Sequence, residues 1–169
     1  MLDRFRDVFE SFQKHDVRYV VIGGIAAILH GVPRATFDLD VLIEATPQNA
    51  RNLLKALLDA KIGTASLISA EEVLANEITV FKDRVRLDVQ TFTPGLAFEK
   101  AWANRQAMVY RGQVFNVVSR QDLISSKKAA GRPVDLYDVR LRELERDEDT
   151  RLSPRLRLLP APSRRLVPR

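Results

Sequence analysis

Two aspartates spaced two residues apart, Asp38 and Asp40, are the first candidates for chemistry in this 169-residue chain. They open an apolar run, and its alternation predicts a strand. Residues two apart in a strand point to the same face, so the two carboxylates should lie side by side while Leu39, Val41 and Ile43 face the core. Adjacent carboxylates need a cation between them, and hard oxygen ligands of this kind suit Mg²⁺.

A glycine pair, Gly23-Gly24, ends the apolar run that begins at Tyr19. Without a Cβ atom, these residues let the backbone approach a ligand closely, and the N-terminus of the helix expected to follow favours an anion such as a triphosphate. Each feature alone has an ordinary explanation, because Gly-Gly after a strand is mostly a turn and alternating acids are common on solvated strands. Their joint occurrence, with thirteen residues between Gly24 and Asp38, is more specific.

The order of hydrophobic strand, Gly-Gly, short helix and Asp-x-Asp resembles the nucleotidyltransferase superfamily, which has the DNA polymerase β-like fold. The resemblance implies a third carboxylate on a later strand. Asp88 is the candidate, since residues 85–90 alternate and place it opposite the apolar positions. Taken alone, Asp88 would be interpreted as an exposed strand residue paired with Arg86 or Arg84.

The resemblance implies that Asp38, Asp40 and Asp88 are catalytic and bind two Mg²⁺ ions, and that Gly23-Gly24 contributes to the nucleotide site. Arg34 and Thr36 lie just before the acidic pair. A cation there could contact triphosphate oxygens and a hydroxyl could orient Asp38, although both could equally be turn residues.

A second cluster lies downstream. Ser119 followed by Asp122 predicts a helix N-cap, Gly131 ends that helix and Pro133 can begin another. The two helices are expected to bring acids of the second back toward lysines of the first.

These helices resemble the C-terminal helices of small toxin-like nucleotidyltransferases of the AbiEii and MenT type. The resemblance implies that Lys127 contacts nucleotide phosphates, that Asp135 is the later acidic residue of the nucleotide site, and that Asp138 is the second Asp. Val134 precedes Asp135 where that pattern has a basic residue. The alternative is a solvated helix face for Lys127 and Lys128, with the aspartates favoured by the helix dipole.

The hydrophobic pattern predicts an α/β (α+β) fold, a mixed sheet flanked by helices. Residues 1–145 are expected to form one domain with its C-terminal helices from about 119. Residues 146–165, rich in Pro, Arg and Leu, are expected to form a basic tail that docks on its own domain, is disordered or binds RNA. Residues 166–169, Leu-Val-Pro-Arg, are typical of a tag remnant.

Composition limits the function classes. The net charge of +5 favours a polyanionic partner, and the absence of cysteine excludes disulfides and thiolate chemistry. No apolar run is long enough to span a bilayer and no secretory signal is visible, so a cytoplasmic protein without a membrane partner is expected.

The sequence therefore predicts transfer of a nucleoside monophosphate from an NTP such as ATP to a hydroxyl, with release of pyrophosphate. The acceptor could be RNA, such as a tRNA 3′ end, or a protein, and a cognate antitoxin or toxin would be a partner. Two alternatives remain: a catalytically silent nucleotide-binding or antitoxin-like module, and a Mg²⁺-dependent nuclease. Gly23-Gly24 disfavours the nuclease, because hydrolysis needs no triphosphate site.

Overall fold

In the computed structural model, which describes residues 1–144 and 156–158, seven strands form one mixed sheet. The strands are β1 Tyr19–Ile22, β2 Asp38–Ile43, β3 Ile78–Lys82, β4 Arg86–Gln90, β5 Gln106–Tyr110, β6 Gln113–Val117 and β7 Leu156–Leu158. Their order across the sheet is β3-β4-β2-β1-β6-β5-β7. The pairs β1–β6 and β2–β4 are parallel, and the other neighbours are antiparallel. The predicted fold class is confirmed, and the architecture is consistent with a polymerase β-like fold.

Helices account for most of the remaining described chain. The α-helices are α1 Arg6–Lys14, α2 Gly23–Leu29, α3 Pro47–Asp59, α4 Ala70–Ala75, α5 Phe98–Asn104, α6 Arg120–Ala130 and α7 Pro133–Leu144, and short 3-10 helices span Leu2–Phe5 and Gly63–Leu67. Among the described residues, no helix has the length and apolar character needed to cross a membrane.

Local sequence signals set the helix boundaries. Thr46 and Ser119 cap α3 and α6 by accepting hydrogen bonds from backbone N–H groups three residues on. Ser69 forms a complete capping box at the start of α4. Gly131 ends α6 with a φ of +66°, a left-handed conformation that glycine adopts at little cost, and Pro133 begins α7.

The core is centred on β1, whose four residues are all buried. Because successive strand residues point to opposite faces, this pattern means that both faces of the sheet are covered there. On one side Phe9 of α1 stacks on Phe115 with ring centroids 4.7 Å apart. The apolar positions predicted for the N-terminal helix are buried, although its first turn, Leu2–Phe5, is a 3-10 helix. The strands that carry the candidate site therefore pair with a well-packed central strand.

Two pairs of consecutive strands form hairpins, β3 with β4 through residues 83–85 and β5 with β6 through residues 111–112. Part of the predicted tail docks on the domain, since Leu156–Leu158 pairs antiparallel with β5. The rest of the tail and the predicted tag remnant at 166–169 lie outside the described residues.

Candidate functional site

The register of β2 and β4 determines where the acids lie. These strands are parallel neighbours, with Asp40 opposite Asp88 and Asp38 opposite Arg86. Side chains at paired positions lie on the same face of a sheet, so the structure places the three predicted carboxylates on one face of two neighbouring strands. Their neighbours Leu39, Leu87 and Val89 are buried on the opposite face.

Two glycines make room for the acids. Gly23 begins α2 with a φ of +64°, and a Cβ atom there would lie 2.3 Å from Oδ2 of Asp40. A Cβ atom on Gly24 would lie 3.1 Å from the Thr36 hydroxyl. The Gly24 N–H donates a hydrogen bond to Asp40. The glycine pair therefore seats Asp40 and Thr36 against the start of α2, a function that the sequence pattern alone did not predict.

Asp40 ionises less readily than an ordinary aspartate. Burial, followed by the negative charges of Asp88 and Asp38, raises the pKa of Asp40 from 3.8 to about 6. The Gly24 amide and the Arg132 guanidinium oppose this rise but do not cancel it. The site therefore holds more negative charge around Asp40 than the surrounding residues neutralise.

Arg86 is the cation that lies nearest to the acids. Its Nε and a terminal nitrogen donate to the two carboxylate oxygens of Asp88, at 2.9 and 3.0 Å. Its Nε also lies 3.7 Å from Asp38. The guanidinium is 45% exposed, which leaves it in contact with solvent. The ion pair considered from sequence as the alternative for Asp88 thus exists within the acidic cluster.

The fit to a divalent metal rests on chemistry more than on geometry. Among residues 1–144 and 156–158, no group of three or more acidic or histidine side chains is arranged to hold a metal ion. Both oxygens of Asp88 accept hydrogen bonds from Arg86 instead. The donor set nevertheless suits Mg²⁺, because it contains only carboxylate oxygens and an excess of negative charge.

The downstream helices contribute a buried ion cluster. Lys127 Nζ on α6 donates to Asp135 at 3.1 Å and to Asp138 at 2.7 Å, both on α7. All three side chains are at most 6% exposed. The predicted return of these aspartates toward the lysine is confirmed. The alternative prediction of a solvated helix face is wrong for Lys127, because two carboxylates and the packing of α6 on α7 enclose its side chain. Lys128 is exposed.

Two arginines extend this cluster toward the acids. Arg34 donates to Oδ2 of Asp138 at 2.7 Å. Arg132 holds both oxygens of Asp135, at 2.6 and 3.3 Å, and its charge lowers the pKa of Asp40. Burial raises the pKa of Asp135, but the hydrogen bonds from Arg132 and Lys127 outweigh it and leave the pKa below 3.8. The aspartates of α7 thus fix two guanidinium groups, one of which acts electrostatically on Asp40.

Arg132 was missed by sequence reasoning. Its position three residues before Asp135, at the junction of α6 and α7, is the signal that could have identified it. Thr36, predicted to orient Asp38, packs over Gly24, and the described residues show no hydrogen bond between Thr36 and Asp38.

The buried cluster leads to a stability prediction. Lys127→Met should lower the free energy of unfolding by about 1–3 kcal/mol, because each buried carboxylate loses a hydrogen bond and keeps only its arginine partner. Urea denaturation measures this. Lys55→Met, at an exposed position on α3, is the matched control and should change stability by less than about 0.5 kcal/mol. A loss below about 1 kcal/mol for Lys127→Met would show that the cluster is not a structural crosslink.

Asp40 leads to a pH prediction. Its folded-state pKa lies above the unfolded value, so native stability should fall as the pH rises from about 4 to about 6. A rise from 3.8 to about 6 corresponds to up to about 3 kcal/mol. In buffer with EDTA, Asp40→Asn should therefore melt at a higher temperature than the native chain at pH 8, and the two should converge below pH 4.

The control for this effect is a variant whose stability should change in the opposite direction. Hydrogen bonds from Lys14 and His15 lower the pKa of Asp59 to about 2, so Asp59→Asn should reduce stability at pH 8. If Asp40→Asn also melted lower than the native chain at pH 8, the proposed excess of negative charge would be wrong.

Comparison with known protein families places the chain in a family. A family model described as a nucleotidyltransferase of unknown function (DUF6036) matches residues 3–153. The matched span contains all the acids, glycines and arginines described above. No match was found among curated proteins. Because the match covers most of the chain and the complete site, the protein belongs to the family of nucleotidyltransferases of unknown function (DUF6036).

Proposed function

We propose that the protein is a Mg²⁺-dependent nucleotidyltransferase of the small toxin-like branch, similar to the AbiEii and MenT type. It transfers a nucleoside monophosphate from an NTP to an acceptor hydroxyl and releases pyrophosphate. The observation that carries this proposal is the pairing of Asp40 with Asp88 beside Asp38, which concentrates unneutralised negative charge at one end of the sheet.

Asp38 and Asp40 would hold the metal ions, and Asp88 would complete the set once its oxygens separate from Arg86. Bound Mg²⁺ supplies charge neutralisation of the triphosphate and makes the attacking hydroxyl more acidic. The burial of Asp40 and its hydrogen bond from Gly24 keep that carboxylate in one orientation. The glycine pair thus contributes to the site by positioning an acid as well as by allowing a ligand to approach α2 closely.

The triphosphate would lie between the acids and the two arginines. Arg34 and Arg132 each present N–H donors, and Asp138 and Asp135 hold them in place. Guanidinium groups suit phosphate because their planar donors can engage two oxygens at once. Lys127 would act on the phosphates indirectly, as the residue that positions both aspartates.

The chemical step balances without a further reactant. The acceptor oxygen forms a bond to the α-phosphorus, the bond from that phosphorus to the bridging oxygen breaks, and pyrophosphate leaves with the electron pair. Asp88 would receive the proton of the acceptor hydroxyl, since it lies beside Asp40 and its side chain is 15% exposed.

The acceptor is proposed to be RNA, such as a tRNA 3′ end, with a protein hydroxyl as the alternative. The net charge of +5 supports RNA, because phosphate neutralisation gives affinity independent of base sequence. A toxin-like enzyme of this kind would have a cognate antitoxin as its partner.

One observation favours a second function, a nucleotide-binding or antitoxin-like module without turnover. The bidentate pair of Arg86 and Asp88 neutralises the acid that the reaction requires. In such a module Arg86 would be a permanent internal cation and no metal would be needed.

Label transfer tests the proposed enzyme. The native chain, incubated with each α-³²P-labelled NTP, Mg²⁺ and total cellular RNA or protein, should label one acceptor class and release pyrophosphate. Asp40→Asn should reduce transfer at least about 100-fold, because loss of a metal ligand costs at least as much as loss of a group supporting one. Label without dependence on Asp40 would contradict the proposal, and strand cleavage without pyrophosphate would identify a nuclease.

Metal titration separates the enzyme from the silent module. In the enzyme, Mg²⁺ or Mn²⁺ should raise the melting temperature of the native chain, and Arg86→Gln should lower the half-saturating concentration about two- to fivefold, as expected for losing an exposed competing ion pair. Arg51→Gln, at an exposed position on α3, is the control and should not alter the titration. A metal response that appears only in Arg86→Gln would support the module.

A further inference from the structure

We propose that a cavity lined by the loop just before Asp38 binds the base of the nucleotide, and that Phe37 is the ring on which the base stacks. The inference rests on the proposed function and adds to it the base subsite and the residue that forms its floor. The cavity lies between the 3-10 helix Leu2–Phe5 and the loop of residues 34–37 that leads into β2.

The size of the cavity suits a small molecule. Its volume is about 560 Å³. Pockets that bind cofactors and drug-sized ligands span about 300–1,000 Å³ and are mostly apolar with a few polar groups. Apart from Phe37, the walls carry Met1 and Ala35 as apolar groups and Asp3 and Arg4 as charged ones.

The cavity shares two of its walls with the proposed phosphate site. Arg34 lines it, and the same side chain donates to Asp138 in the buried cluster. Thr36 also lines it and packs over Gly24 at the start of α2. A nucleotide whose phosphates lie beside Arg34 would therefore have its base at the mouth of this cavity.

Phe37 is a large apolar residue that lies outside the core and is exposed to solvent. Its side chain is 71% exposed, whereas the next apolar residue along the strand, Leu39, is fully buried. The guanidinium carbon of Arg4 lies 5.8 Å from the Phe37 ring centroid. An accessible aromatic face beside a cation is the arrangement that single-stranded nucleic-acid sites use to hold bases.

The wall opposite Phe37 is held in place before a ligand binds. One carboxylate oxygen of Asp3 forms an ion pair with Arg111 at 2.6 Å, and the other accepts a hydrogen bond from the Tyr110 hydroxyl at 3.1 Å. Arg84 donates to the backbone oxygen of Arg4 at 3.3 Å. These contacts fix the 3-10 helix to two hairpins, so binding a base would require little ordering of the wall.

Stacking on Phe37 would contribute affinity for any base, because every base has a π-face. The cavity is therefore expected to distinguish a nucleotide from bare triphosphate more strongly than it distinguishes one base from another. This difference gives a direct measurement.

Isothermal titration calorimetry with tripolyphosphate and with each NTP, in the presence of Mg²⁺, tests the proposal on the full chain. The native protein should bind an NTP about tenfold or more tightly than tripolyphosphate. Phe37→Ala should remove that difference and leave the Kd for tripolyphosphate unchanged, whereas Phe37→Trp should retain it. Phe92→Ala removes another exposed ring, two residues after β4 ends at Gln90, and should have no effect.

The outcomes separate this proposal from the proposed function. If Phe37→Ala kept the advantage of NTP over tripolyphosphate, or if the native chain bound both ligands equally, the base subsite would be wrong while phosphate binding stood. If the native chain bound neither ligand, the proposed function and the base subsite would both fail.

Discussion

The constraint on which the site depends is the repulsion among three carboxylates held on one face of two parallel strands. Asp40 faces Asp88 directly in register, and burial removes much of the water that would screen them. Charges placed this way must be compensated by the fold or by a ligand. The surroundings compensate only in part: Gly24 donates one hydrogen bond, Arg132 acts at a distance, and the pKa of Asp40 still rises to about 6. Burial and this incomplete compensation together disfavour the ionised form of Asp40, and they are the basis of the proposed metal site.

The buried ion cluster around Lys127 has a net charge opposite in sign to that of the three acids. Lys127, Arg34 and Arg132 surround two carboxylates, Asp135 and Asp138, so this cluster has one excess positive charge. Arg132 lies at the solvent-exposed edge of the cluster and acts electrostatically on Asp40, whereas the lysine lies within the cluster. An acidic pole and a basic pole on facing elements form the arrangement that a metal–triphosphate complex needs, since such a ligand carries both charges. The burial of Lys127 also ties α6 to α7, so the same residue determines packing and the direction of both guanidinium groups.

Most of the fold could be predicted because its signals are local. Strand alternation, the caps at Thr46, Ser69 and Ser119, and the Gly131-to-Pro133 boundary all operate within a few residues. That Asp38 and Asp40 share a face could also be predicted from strand alternation, whereas Asp88 was placed beside them only through resemblance to a family. The parts that sequence did not reveal depend on long-range register.

Several features of the site depend on that register. The contact between Gly23 and Asp40 arises from the antiparallel pairing of β1 with β2, which places Ile22 opposite Asp40. Arg132 belongs to the site only because α7 folds back on α6, and Phe37 lines a cavity only because the N-terminal 3-10 helix lies across from it. No periodicity within one element encodes these contacts.

The burial of each ion pair in this site determines how much free energy is lost when the pair is broken. The Arg86 pair with Asp88 has a guanidinium that is 45% exposed, and a pair of that kind contributes at most about 1 kcal/mol. The Lys127 pairs are at most 6% exposed, and removing the lysine takes a hydrogen bond from each of two buried carboxylates, at a cost of about 1–3 kcal/mol. Under the proposed function, a divalent cation arriving with a triphosphate would therefore displace Arg86 from Asp88, because the ligand would replace one positive charge with a larger one. It cannot displace Lys127 without loosening α6 from α7. In the proposed enzyme, Arg86 would therefore pair with Asp88 until a ligand binds. Lys127 would stay paired with Asp135 and Asp138 and keep the two arginines in position.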